Sequence, residues 1–272
     1  SPDHLNDIYN FFASPDIQED IEKNLTGYTS LSGNIYNKNF NLGIYYDPNI
    51  GIRRGRRRGL LMRLYLMLSL AKSNEPTNTV SVNIWLSDNQ KLIHGIDENF
   101  LGIMNINSGC TIRDYNSYPI GRVIIWRDEE CDKVLVHELI HALGLDFHSY
   151  DKSIDNDIFE KFDINSKDHI NIFETYTETW TVILSTIMYS KLCGNATIIE
   201  INDLLRLETA YSLVQIAKIL VYYKYQTFSN CDFFCPDGFI NSIRKNKFKQ
   251  GTSILAYYVF KAAILYNLED FL

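Results

Sequence analysis

One strand–helix segment constrains the chain more than any other part of the sequence. Residues 122–127 (RVIIWR) predict a short buried strand, and residues 130–143 predict a helix that Gly144 ends. His137 and His141 are four residues apart on that helix. Their imidazoles therefore project from the same face, one turn apart.

The pattern H-E-x-x-H over residues 137–141 indicates a metal site. Two imidazoles one turn apart can bind the same zinc ion, and Glu138 lies at the edge of that face. From there its carboxylate can act as general base toward a bound water. The alternative interpretation is a helix whose two histidines are only packed or hydrogen-bonded.

A catalytic zinc ion needs a third protein ligand, and the best candidates follow Asn171. This residue is placed to cap a predicted helix over residues 172–192, on which Glu174 and Glu178 share one face. The helix is largely apolar, and buried carboxylates are costly without positive charge nearby. We expect Glu174 to be the ligand and Glu178 to orient one histidine through its second ring nitrogen. The alternative is that both glutamates are exposed at the helix start.

His148 is the alternative third ligand. In the metzincin pattern H-E-x-x-H-x-x-G-x-x-H the third histidine would be residue 147. Phe147 occupies that position here, and His148 follows one residue later.

These motifs resemble those of the gluzincin clan of metallopeptidases, in which H-E-x-x-H is followed by E-x-x-x-E on a later helix. The stretch N-x-x-E-x-x-x-E at 171–178 is similar to the third-ligand helix of the anthrax lethal factor group. The resemblance implies one zinc ion bound by His137, His141 and Glu174, with Glu138 as base. It also implies an endopeptidase that acts on a peptide or protein substrate. The motifs do not identify the residue that would donate a hydrogen bond to the oxyanion of the transition state. The candidates for this role are His169, Tyr176 and Tyr211.

A broader similarity, over roughly residues 60–190, is to zincin-type proteins encoded by large DNA viruses. The residues that carry it are 107–109 (NSG) and 122–147, together with a general richness in Asn, Ile, Tyr and Lys. It implies a viral protein with an intracellular location, in a virion or an infected host cell. The competing hypothesis is a zincin fold that has lost activity and serves as a binding or structural protein, including a virion protein.

The order of predicted elements indicates an α+β, zincin-like fold within one domain over residues 1–272. We expect an irregular N-terminal region at 1–58 with a short helix near 4–12. A lobe at 59–149 would hold a small mixed sheet, a backing helix and the active-site helix, and a helical lobe would follow at 150–272. The alternating pattern at 79–87 predicts a strand, which we expect at a sheet edge where an extended peptide could pair.

Charge and composition limit the classes of partner that we expect for this chain. The net charge of −7 argues against nucleic acid as a main partner, and no apolar run reaches the length of a membrane span. Residues 53–58 hold five arginines, for which we weighed a solvated loop, an acidic partner within the chain and an external anion. The five cysteines leave open a local bridge between Cys231 and Cys235.

Overall fold

The computed structural model describes most of the chain, namely residues 13–72, 78–91, 101–114, 120–147, 153–162, 171–194, 197–222 and 251–272. Several predicted features lie outside the described residues: the helix near 4–12, His148, His169, Cys231 and Cys235.

The described elements form an α+β arrangement, as the sequence predicted. The strands are β1 Gly27–Ile35, β2 Lys38–Tyr46, β3 Thr79–Trp85, β4 Gly109–Asp114 and β5 Ile120–Ile125. The helices are α1 Pro15–Lys23, α2 Arg54–Leu70, α3 Ile103–Ile106, α4 Cys131–Ala142, α5 Ser153–Phe162, α6 Ile172–Cys193, α7 Ile198–Tyr222, a π-helix Leu255–Phe260, α8 Lys261–Tyr266 and α9 Leu268–Phe271.

The five strands form one mixed sheet in the order β1-β2-β3-β5-β4. Strands β2, β3 and β5 are parallel to one another, and the outer strands β1 and β4 pair antiparallel with their neighbours. The expectation that β3 is an edge strand is therefore wrong, because both of its edges are hydrogen-bonded. The alternating sequence of β3 shows that its two faces contact different surroundings. Both interior and edge strands can have such a pattern, so the pattern does not determine the position of the strand in the sheet.

Alternation along the strands divides the core into two layers. One cluster contains β3 residues Val80, Val82 and Ile84 with apolar side chains of α2 and α4. The other contains Trp85 and Trp126 with the apolar face of α1. Helices α2 and α4 thus cover one face of the sheet and α1 covers the opposite face, so the helix that carries His137 and His141 packs directly on the sheet.

The N-terminal region is more regular than the sequence predicted. Residues 13–46 form α1 and the β1–β2 hairpin, whose turn has Tyr36 and Asn37 at φ 49° and 65°. Strand β1 escaped prediction because most of its residues are exposed, so it lacks an apolar alternation. Helix α2 also begins at Arg54, inside the arginine cluster. Residues 103–106 form a single helical turn.

The chain divides into two compact units that interleave in sequence. The first comprises residues 1–91, 107–147 and 180–197, and the second comprises 92–106, 148–179 and 198–272. The boundary at 179/180 falls inside the continuous helix α6. No helix among the described residues is both long and apolar enough to cross a membrane.

Candidate metal centre

Helix α4 carries the H-E-x-x-H motif and ends in a defined turn. Gly144 has φ +65°, and its N–H donates to the carbonyl of His141 at 3.0 Å. The N–H of Leu145 donates to the carbonyl of Ile140 at 2.9 Å, so the two bonds together form a Schellman motif. The prediction that Gly144 ends the helix is confirmed, because a left-handed residue is needed there.

The two histidines converge as their spacing predicted. Their Nε2 atoms are 3.2 Å apart, and the ring centroids are 4.8 Å apart with an interplanar angle of 72°. His137 is buried and His141 is partly buried. Each ring therefore offers the same nitrogen toward one point beside the helix.

Glu174 completes the group. Ligand atoms of His137, His141 and Glu174 all lie within 4.8 Å of one another, and this group could hold a metal ion. Two imidazole nitrogens and one carboxylate oxygen are a donor set typical of catalytic zinc sites.

Helix α6 carries Glu174 in its first turn. Trp180, Leu184 and Met188 recur every four residues and pack in the same core cluster as α4. At the other end, Asn171 immediately precedes the helix, and its Nδ2 donates to Oε1 of Glu174 at 3.4 Å. Asn171 therefore contacts the carboxylate of Glu174, a contact that its predicted capping position did not reveal.

A carboxylate that the sequence did not assign orients His141. Oδ2 of Asp146 lies 2.7 Å from Nδ1 of His141, and the side chain of Asp146 is 8% exposed. Such a contact fixes the tautomer that presents Nε2 to a metal and raises the basicity of the ring. The sequence signal that could have identified Asp146 is Gly144, two residues earlier. Its left-handed conformation turns the chain back toward the end of α4, where His141 lies.

Glu138 is buried and contacts strand β4. The hydroxyl of Thr111 lies 2.7 Å from Oε2 of Glu138 and 2.9 Å from its backbone oxygen. A Cβ at Gly109 would lie 3.1 Å from Oε1 of Glu138 and 2.8 Å from Cγ1 of Val134. The Thr111 hydroxyl thus contacts Oε2 of Glu138, and the absence of a side chain at Gly109 leaves space around Oε1.

The thiol of Cys110, next to these residues on β4, is a poor nucleophile. Burial raises the pKa of Cys110 to about 12, and the negative charge of Glu138 acts in the same direction. A neutral thiol does not compete with the imidazoles for a cation.

Glu178 contacts a lysine far away in sequence. Its Oε2 lies 3.4 Å from Nζ of Lys261, and the side chains are 15% and 6% exposed respectively. The expected role of Glu178 in orienting a histidine stays a prediction. Of the candidate oxyanion donors within the described residues, Tyr176 contacts the ring of Phe271 at 6.5 Å, and Tyr211 is 51% exposed. Their roles also stay predictions.

Part of the arginine cluster has a partner within the chain. Arg56 pairs with Asp128 and, at 2.9 Å, with Asp132 in the first turn of α4. Arg63, two turns further along α2, lies 3.3 Å from the same Asp132 carboxylate. The acidic-partner interpretation therefore holds for Arg56, and these pairs tie α2 to the start of the motif helix.

A scan against protein-family models, a search of curated proteins and a search of solved structures each returned no match.

Proposed function

We propose that this protein is a zinc-dependent peptidase with a zincin-like fold. The observation that carries the proposal is the convergence of His137, His141 and Glu174 within 4.8 Å, with Glu138 on the same helix as the two histidines. Structural zinc sites use four protein ligands, whereas catalytic sites use three and leave one position open. Among the described residues the group has three members, which matches the catalytic type.

Each residue has a separate task in this proposal. His137 and His141 would bind zinc through Nε2, and Glu174 would bind it through a carboxylate oxygen. Bound zinc lowers the pKa of water to near 7 and polarises a carbonyl group. Asp146 would keep His141 in the binding tautomer by accepting a hydrogen bond from Nδ1.

Glu138 would be the general base. Its Oε2 accepts the hydroxyl hydrogen of Thr111, so Oε1 is the oxygen that would take up the proton of the attacking water. Gly109 keeps Oε1 accessible because any larger residue would place a Cβ 3.1 Å from it. The same oxygen would then return the proton to the leaving amine.

A peptide is the substrate class that the sheet favours. Strand β4 is an outer strand, and it carries Thr111, which contacts the proposed base. An extended peptide could add to this strand by backbone pairing, a common mode of peptide capture. This transfers to β4 the role that the sequence suggested for β3. A peptide series methylated at single backbone nitrogens tests it: weakened binding only at alternate positions supports pairing, and uniform binding contradicts it.

The test of the proposal is zinc content together with cleavage of a peptide library. Protein purified without added metal should contain close to one zinc ion per chain, whereas Glu174→Ala should lose most of it. Glu269→Ala, an exposed glutamate near the C-terminus, is the matched control and should retain zinc. Glu138→Gln should keep zinc and lose cleavage by at least a hundredfold.

The outcomes separate the competing hypotheses. Zinc retained by Glu174→Ala would transfer the third ligand to another residue, with His148 as the first candidate. Zinc without cleavage in the wild type would favour the inactive binding protein. No zinc in the wild type, even after reconstitution, would overturn the proposal.

A further inference from the structure

Helix α7 is apolar on two opposite sides. One side is buried, carries Leu205, Ile216 and Ile219, and belongs to a helix that contacts the π-helix and α8. The opposite side carries Leu207 and Val214, which are 66% and 52% exposed. A surface helix of a globular protein usually has one apolar stripe, which faces the core. Grouped apolar side chains on a surface mark interaction sites, so the second side of α7 is a candidate interface.

This second side is a regular stripe along the helix. Successive residues are about 100° apart around a helix, so Leu207 and Val214, seven positions apart, differ by only about 20°. Between positions 203 and 218, a set of exposed residues lies within about 50° of the line midway between these two. The set consists of Asp203, Leu207, Ala210, Tyr211, Val214 and Lys218. The stripe is roughly 22 Å long and lies within one compact unit.

The apolar part of the stripe is complementary to itself. In an antiparallel pair of α7 helices with a twofold axis between positions 210 and 211, Leu207 lies opposite Val214 of the second copy. Ala210 then lies opposite Tyr211, so a small side chain meets a large one. Each contact occurs twice, because in an isologous interface residue i meets j and residue j meets i. A second copy of this chain therefore fits the stripe.

The charges at the ends of the stripe favour the same antiparallel arrangement. Asp203 would lie opposite Lys218 of the second copy, whereas a parallel pair would place like charges together. Arg206 contacts Asp203 at 3.4 Å within α7, but both side chains are more than half exposed, so this pair contributes little. Arg206 itself would lie opposite Gln215. Like charges therefore do not face each other along the stripe, which is the complementarity that selects a partner.

We propose that this protein forms a twofold-symmetric homodimer through the exposed stripe of α7, with Leu207 and Val214 at its centre. The inference is independent of the proposed function, because none of the proposed metal ligands takes part. Tyr211, considered above as an oxyanion donor, belongs to the interface instead. One helix face is small for an interface, so we expect a dissociation constant on the order of 10 µM.

Sedimentation velocity of the full chain over about 1–200 µM tests the proposal, because this range brackets the expected dissociation constant. The wild type should change from monomer to dimer as its concentration rises. Leu207→Glu should weaken self-association roughly tenfold or more, since it places a charge at the apolar centre of the interface. Lys191→Glu, a charge reversal at an exposed position on α6, is the control and should associate like the wild type.

Charge reversal tests the antiparallel register itself. Asp203→Lys and Lys218→Glu should each weaken self-association about fivefold or more, because like charges then face each other at both ends of the interface. An equimolar mixture of the two variants should recover the wild-type association. In the mixed dimer, each substituted residue again lies opposite a residue of opposite charge. All of these positions are exposed, so circular dichroism should show the same helical content in every variant.

Three results would overturn the inference. The first is a wild type that remains monomeric at the highest concentration, which would leave the stripe to a different protein or another segment. The second is a dimer whose affinity Leu207→Glu does not change, since the interface would then lie elsewhere. The third is a mixture of the two charge variants that associates no better than either alone, because the twofold register requires recovery. None of these results bears on zinc binding or peptide cleavage.

Discussion

The hydroxyl oxygen of Thr111 lies 2.7 Å from Oε2 of Glu138, although the two residues belong to a strand and a helix that are 27 positions apart in sequence. Glu138 is 6% exposed, and a buried carboxylate keeps its orientation only if its oxygens are hydrogen-bonded. Strand β4 therefore contributes directly to the geometry of the proposed general base.

Thr111→Val should reduce kcat without loss of zinc. The variant keeps the shape of the side chain but removes the donor to Oε2, and hydrogen bonds to charged groups contribute about 1.5–3 kcal/mol, equivalent to roughly 10–100-fold in rate. Steady-state kinetics and elemental analysis of the same samples check this. Thr111→Ser, which retains a hydroxyl, should keep most of the activity. Unchanged kcat in the valine variant would exclude Thr111 from the mechanism.

Asp146→Asn should weaken zinc binding by about 10–100-fold, since replacing the hydrogen-bond partner of a metal-binding histidine usually lowers metal affinity by this amount. The amide lacks the negative charge that supports the Nδ1–H donor of His141. Chelator competition measures the change, and Asp203→Asn on the exposed part of α7 is the control. Equal zinc affinity in the two variants would refute the orienting role of Asp146.

Gly109→Ala should destabilise the protein by about 1–3 kcal/mol, the usual effect of overpacking, and lower cleavage at least tenfold. The added Cβ would lie 2.8 Å from Val134 and 3.1 Å from Oε1 of Glu138. Gly55→Ala is the control, because nothing lies within 4 Å of a Cβ there and alanine favours the helix. Denaturant unfolding and kinetics measure both effects. Val134→Ala should restore part of the stability of the Gly109 variant, and a Gly109→Ala protein as stable as the Gly55 control would contradict the packing argument.

Native Cys110 should react very slowly with thiol reagents at pH 8, because burial raises the pKa of its thiol to about 12. At that pKa only roughly one thiol in ten thousand is ionised at pH 8, against about a quarter of ordinary thiols. The folded pKa is above the unfolded value, so the neutral thiol favours the folded state below about pH 9, and this advantage is lost as the pH rises toward 12. Alkylation followed by mass spectrometry of the Cys110 peptide, with and without denaturant, checks the difference. Similar rates in the two conditions would contradict it.

The pairing of His137 with His141 and the end of the helix at Gly144 could be predicted from the sequence. Both follow from local rules, the helical period and the conformational freedom of glycine, which act within a few residues. The same holds for the start of α6 directly after Asn171 and for the placement of Glu174 and Glu178 on one face. The sequence also indicated an α+β chain, because strand and helix patterns are local signals.

Contacts between distant segments were decided by the tertiary structure alone. Thr111, Gly109 and Lys261 lie 27, 29 and 83 residues from the glutamates that they contact or approach. No helical or strand period relates such positions, so their proximity depends on how the sheet and helices pack. The interior position of β3 was missed for the same reason. An alternating pattern indicates which side chains of a strand are buried. Whether both edges of the strand are hydrogen-bonded depends on which other strands lie beside it in the sheet.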